Sequence, residues 1–98
     1  MAQLKLVGKT GTFDKEYELT ETNSLGRHPS QSIQIFDRVV SKEHALVVLR
    51  EGKYFLNDLG SRNGTFLNGQ RISQSVPLRH NDEIKMGSTC LVFLDDQA

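Results

Sequence analysis

"LGSRNGTFLNG", residues 59–69, holds two Asn-Gly pairs, Asn63-Gly64 and Asn68-Gly69, separated by Thr65, Phe66 and Leu67. Asn-Gly is a strong signal for a tight turn, because both residues tolerate positive φ. Three residues make a strand of only about 10 Å, too short to serve two ordinary hairpins. One pair is therefore a simple turn and the other the apex of a loop. Asn68-Gly69, followed by "QRI", reads as the turn. "GSRNG", residues 60–64, reads as a presented loop, with glycine at both ends and a hydroxyl, a guanidinium and an amide between them.

The flanking sequence fits a β framework around that loop. No window sustains the i, i+3, i+4, i+7 spacing of an amphipathic helix, whereas alternation is frequent. "QLKLVG", "KEYELT" and "SIQIF" each place apolar residues at every second position. "HALVVLRE" is a near-continuous apolar strand suited to the middle of a sheet, and "KYFLNDL" follows after Glu51-Gly52. "DEIKMG" and "TCLVFLD" close the chain, joined through Gly87-Ser88, and the two chain ends are expected in adjacent strands. Short strands punctuated by turns predict an all-β sandwich or barrel. Phe13, Phe36, Tyr54, Phe55 and Phe93 are assigned to core or rim packing, and Cys90 to the core as a small hydrophobe.

Composition narrows the function. The 98 residues suit one domain, 1–98. Twelve Lys+Arg against twelve Asp+Glu give net charge +0, which argues against a broad grip on nucleic acid or an anionic membrane. A single cysteine and the absence of long apolar runs point to a soluble protein of a reducing compartment, the cytoplasm. The sequence leaves open whether these residues are complete or a module of a longer protein.

Enzymatic readings fare poorly. Ser41, His44 and Asp58 have the residue types of a nucleophile, base and orienting acid, but Ser41 and His44 are three apart and would point to opposite faces of a regular strand. His28, His44, His80 and Cys90 form no zinc-type pair, and no glycine-rich nucleotide loop occurs, so neither metal nor cofactor is expected. His28, His80 and Arg38 read as surface residues. Anion binding fits better. The loops 26–41 and 60–64 with their next residues supply Arg27, Arg38, Lys42 and Arg62 as cations and Ser30, Ser41, Ser61 and Thr65 as hydroxyls. Arginine forks and hydroxyl donors suit phosphate oxygens, and an amide such as Asn63 can grip a peptide backbone.

"LGR", "VSKEH" and "DLGSRNGTFLNG", at these intervals, resemble the forkhead-associated (FHA) domain, and the resemblance covers nearly the whole chain. It implies a β-sandwich of two twisted, mainly antiparallel sheets with about eleven strands and recognition loops at one end. It further implies binding of phosphothreonine in partner proteins, in serine/threonine-kinase signalling or assembly, without nucleic acid, membrane or cofactor. The alternative is a scaffold that pairs with proteins without phosphate. By that resemblance, Arg27 and Ser41 contact the phosphate and Asn63 the peptide main chain. Gly26 and His44 support the loops, Gly64 lets the 60–64 loop turn, and Thr65 opens the short strand. Lys42 stands where arginine or asparagine is frequent, and Arg62 where threonine or serine is frequent. Both are counted with the binding residues.

Overall fold

The computed structural model describes residues 1–8 and 11–96. Eleven strands run among them, and no helix: β1 (Ala2–Val7), β2 (Phe13–Glu18), β3 (Thr22–Gly26), β4 (Ile33–Gln34), β5 (Ala45–Arg50), β6 (Lys53–Asp58), β7 (Phe66–Leu67), β8 (Gln70–Arg71), β9 (Val76–Pro77), β10 (Glu83–Met86) and β11 (Thr89–Asp95). They form a six-stranded sheet, β2-β1-β11-β10-β7-β8, packed on a five-stranded sheet, β4-β3-β5-β6-β9. Only the short β3–β4 pair is parallel. The apolar run of β5 sits at the centre of its sheet, and β1 pairs with β11, so the two chain ends are neighbours.

Alternation decides which side chains enter the core. Leu4, Leu25, Val47, Leu56, Ile84, Leu91 and Phe93 point inward and are almost completely buried. Burying a side chain of this size contributes about 1.5–3 kcal/mol, so this layer carries most of the hydrophobic stabilisation. The Tyr54 and Phe93 rings, one from each sheet, meet at 5.8 Å between centroids, tilted by 60°, and join the layers. Asn23 is a polar side chain buried between these strands. It donates to the Val47 and Thr20 carbonyls and accepts from the Thr20 N–H, so its burial leaves no orphaned atom.

Three assignments made from the sequence need correction. Phe36 is 79% exposed and Phe13 52% exposed. Ile33 and Ile35 take the inward positions, which leaves Phe36 outward, and Lys15 covers its ring at 5.7 Å. Phe13 opens the edge strand β2 and is covered by Lys5 at 5.1 Å. Cys90 is only half-buried, because Leu91 and Phe93 take the inward face of β11. Burial and the nearby Glu83 carboxylate push its thiol above the ordinary value.

Two hairpins illustrate how the chain reverses. Glu51-Gly52 joins β5 to β6 with φ of 51° and 79°, and Asn68-Gly69 joins β7 to β8 with φ of 50° and 86°. Paired positive φ values match the strand twist that a two-residue hairpin requires. Asn63 has no such conformation; only Gly64 does, at φ 89°. The segment 59–65 is thus a loop, and β7 is the brief strand that leaves it.

Candidate functional site

The loops between β3 and β5 and between β6 and β7 meet at one end of the sandwich. Their contact begins with Gly26, the buried last residue of β3. A Cβ there would collide with the Lys42 carbonyl, so glycine lets the backbones touch. The Arg27 N–H donates to the Ser41 carbonyl at 3.0 Å, the His28 N–H to the Lys42 carbonyl at 3.3 Å, and the His44 N–H to the Leu25 carbonyl at 2.9 Å.

His44 is fully buried and both ring nitrogens are engaged. Nδ1 accepts from the Ser41 N–H at 3.0 Å, so the proton resides on Nε2, which donates to the Gly64 carbonyl at 2.9 Å. One imidazole thereby ties the Ser41 loop to the 60–64 loop. With both nitrogens given to backbone groups, it offers no base to the Ser41 hydroxyl.

Asp58, at the end of β6, organises the second loop. It accepts from the Ser61 N–H, the Ser61 hydroxyl and the Thr65 hydroxyl, and lies 4.0 Å from His44 Nε2. Burial pushes its carboxyl up, but the Ser61 and Thr65 hydrogen bonds, aided by His44, together hold it below its ordinary value. The Ser61 oxygen also accepts from the Gly64 N–H. Ser61 and Thr65 are therefore buried struts, and their hydroxyls do not serve as anion donors. Ser30 is likewise engaged, with His28 Nδ1.

Arg27, Ser41 and Asn63 come together on the short backbone segment 39–41. Arg27 Nε donates to the Val40 carbonyl at 3.0 Å, Asn63 Nδ2 donates to the Val39 carbonyl at 3.0 Å, and the Arg62 N–H donates to the Ser41 oxygen at 3.2 Å. Each contact fixes a group without exhausting it. Among the described residues, no hydrogen bond occupies the terminal nitrogens of Arg27, the hydroxyl proton of Ser41 or the amide oxygen of Asn63. Arg27 and Asn63 are exposed and Ser41 is half-exposed.

Charge follows the same pattern. The ion contacts formed among the described residues, Met1–Asp96, Lys5–Glu16 and His44–Asp58, leave Arg27, Arg38, Lys42 and Arg62 unneutralised. The side chains of Lys42 and Arg62 are exposed beside the segment 39–41. A net-neutral protein thus presents a local cationic rim. A depression of about 470 Å³, lined by Arg50, Glu51, Lys53, Phe55 and Ser75, lies at the opposite end of β5. The rim is an open surface, better matched to an extended chain than to an enclosed small molecule.

The structural roles of two residues at this end escaped sequence reasoning, although Asp58 was weighed as the orienting acid of a catalytic set. Asp58 had a local signal, since Asp followed three residues later by Ser is a turn-capping pattern. Asp37 had none of comparable strength: its side chain reaches Ser88 and Thr89 on the distant β10–β11 turn.

Comparison with known proteins bears on the sequence and the overall fold. The FHA domain model matches residues 23–87. The glycogen accumulation regulator GarA of Mycolicibacterium smegmatis is 41% identical over 73 residues, 74% of this chain and 46% of the relative. The oxoglutarate dehydrogenase inhibitor of Corynebacterium efficiens is 41% identical over 73 residues, 74% of this chain and 51% of the relative. The chain thus spans about half the length of these curated relatives. A solved FHA domain studied for phosphothreonine-dependent interactions superposes with a TM-score of 0.89 at 26% identity, covering 99% of this chain and 98% of that one. Mycobacterium tuberculosis EmbR, in complex with a low-affinity phosphopeptide, gives 0.86 at 29% identity over 95% of this chain and 24% of its own. Fold and sequence agree, and the chain belongs to the FHA domain family.

Proposed function

We propose that this chain is a phosphothreonine-reading module that binds partner proteins after a serine/threonine kinase has modified them. The observation that carries the reading is the set of anchored but unspent groups on the segment 39–41: the Arg27 terminal nitrogens, the Ser41 hydroxyl proton and the Asn63 amide oxygen. Phosphothreonine brings about −1.5 to −2 charges and three acceptor oxygens. Arg27 answers with a rigid fork whose orientation Nε has already fixed, so little entropy is lost on binding. Ser41 adds a donor, its oxygen held in place by the Arg62 N–H. Asn63 accepts from the peptide backbone beside the modified residue. Gly26, His44, Gly64 and Thr65 act beneath the rim by holding its loops together.

Lys42 and Arg62 extend the positive field toward acidic positions of the ligand. Charge-assisted hydrogen bonds are worth roughly 1.5–3 kcal/mol each. Two or three of them, less desolvation and ordering costs, supply much of the roughly −8 kcal/mol of a micromolar complex. The phosphate is therefore the dominant determinant. The relatives' names describe a regulator and an inhibitor, which supports a binding rather than a catalytic role. The reading places the chain in the cytoplasm as one domain, 1–98, within or beside kinase-signalling proteins.

Calorimetric titration of one peptide in phosphorylated and unphosphorylated forms tests this. Micromolar binding of the phosphorylated form alone is expected. Equal affinity for both would replace the proposal with a phosphorylation-independent scaffold.

A further inference from the structure

Arg27, Ser41 and Asn63 are all set on residues 39–41, which raises the question of what holds that segment. It belongs to the long irregular connection between β4 and β5, with no strand partner of its own. Ser41 is tied to the Arg27 N–H and to His44, and the Val40 side chain is buried in the core; one carboxylate adds a restraint from the far side of the segment. Asp37 Oδ1 accepts from the Val39 N–H at 3.0 Å, and the Asp37 carbonyl accepts from the Val40 N–H at 3.1 Å. Its other oxygen, Oδ2, accepts from the Ser88 N–H at 2.9 Å, the Ser88 hydroxyl at 3.1 Å and the Thr89 hydroxyl at 2.9 Å. Gly87, at φ 60°, presses against it so closely that a Cβ would lie 2.9 Å from Oδ2 and 3.1 Å from the Val39 Cβ. One side chain thus joins the ligand-facing segment to the tight turn between β10 and β11, in the other sheet.

We propose that Asp37 is a positioning residue of the binding site: by clamping the Gly87–Thr89 turn it fixes the backbone on which Arg27, Ser41 and Asn63 are set. The inference rests on the phosphopeptide reading. Burial pushes the Asp37 carboxyl up, but its donors outweigh burial and hold it below the ordinary value, in keeping with an ionised clamp. Rigid placement matters here because the Val39 carbonyl sets Asn63, the Val40 carbonyl sets Arg27 and the Ser41 oxygen receives the Arg62 N–H. A loosened segment would disturb all of them together.

Asp37→Asn separates positioning from charge. The substitution removes a negative charge from a loop that meets a dianion, so electrostatics alone would tighten binding. The clamp predicts the reverse, a phosphopeptide affinity about tenfold weaker, measured well below the melting temperature. Asp37→Asn, Asn63→Ala and the double variant complete a cycle. The losses should be less than additive, because Asp37 acts partly through Asn63. Exchange of the Arg62 amide and the Asn63 side-chain amide, measured by NMR in the free protein, should quicken in Asp37→Asn, and this readout does not depend on any ligand. Unchanged or tighter binding with additive losses would overturn the clamp, as would unchanged exchange at Arg62 and Asn63. If the wild-type chain fails to discriminate the phosphorylated peptide, the functional reading falls; the exchange comparison still supports or refutes the clamp.

Discussion

Asn63-Gly64 and Asn68-Gly69 are the same dipeptide a few residues apart, and they do opposite work. Asn68 takes positive φ and spends its whole side chain internally: Nδ2 donates to Asp82 at 3.0 Å and Oδ1 accepts from the Glu83 N–H at 2.9 Å. Asn63 keeps an ordinary φ, gives only Nδ2 to the Val39 carbonyl and faces solvent with its oxygen. The same contrast separates Ser61, buried on Asp58, from Ser41, whose proton is uncommitted. A polar side chain whose capacity is consumed supports the fold. One that is anchored at a single atom is held ready for something outside the fold.

That distinction can be broken by mutation. The largest effect belongs to Arg27→Ala, which removes the anchored fork. Phosphopeptide affinity should fall by about a hundredfold or more, the equivalent of roughly 3 kcal/mol or two charge-assisted bonds, with a native circular-dichroism spectrum. Undiminished affinity would show that the fork points at nothing. Asn63→Ala and Asn68→Ala should then diverge. The first weakens peptide binding about tenfold and leaves the melting temperature nearly unchanged. The second destabilises the fold by about 1–2 kcal/mol, through lost hydrogen bonds and because alanine tolerates positive φ less well than asparagine, and leaves affinity unchanged. For a domain of this size each kcal/mol moves the melting temperature by roughly 4–8 °C, so thermal scans resolve the pair. Matching phenotypes would erase the contrast.

A smaller effect sharpens it from the supporting side. Asp58 has a folded value held below its ordinary 3.8 by Ser61, Thr65 and His44 against the opposing effect of burial. A depressed carboxylate contributes stability that is fully present above its unfolded value and lost as pH falls through the folded value. Denaturant unfolding should therefore show stability dropping below about pH 4, and Asp58→Asn should flatten that limb while lowering stability at neutral pH. An unaltered acid limb would remove Asp58 from the framework.

Much of the fold was legible because strand alternation and tight turns are local properties. The hairpins at Glu51-Gly52 and Asn68-Gly69 and the central β5 follow from such signals; the pairing of the chain ends was expected without a local signal, and β1 does pair with β11. The outward Phe36 and Cys90 were misjudged because hydrophobicity says nothing of which neighbour takes the inward position. Within the site, the resemblance singled out Arg27, Ser41 and Asn63, but their residue types could not say which polar atoms remain free. Ser61 and Thr65 have the same hydroxyl as Ser41 and are consumed internally. The Asp37 clamp spans 51 residues, and no local pattern encodes its far half.

The most direct test of the central claim is an NMR titration of the isotopically labelled chain with a phosphothreonine peptide and its unphosphorylated twin. The account predicts that the phosphorylated peptide alone shifts the Arg27 Nε–H, the Ser41 and Arg62 amides and the Asn63 side-chain amide, with little change at the Glu51-Gly52 turn. Shifts concentrated at that distant turn, or equal responses to both peptides, would contradict it.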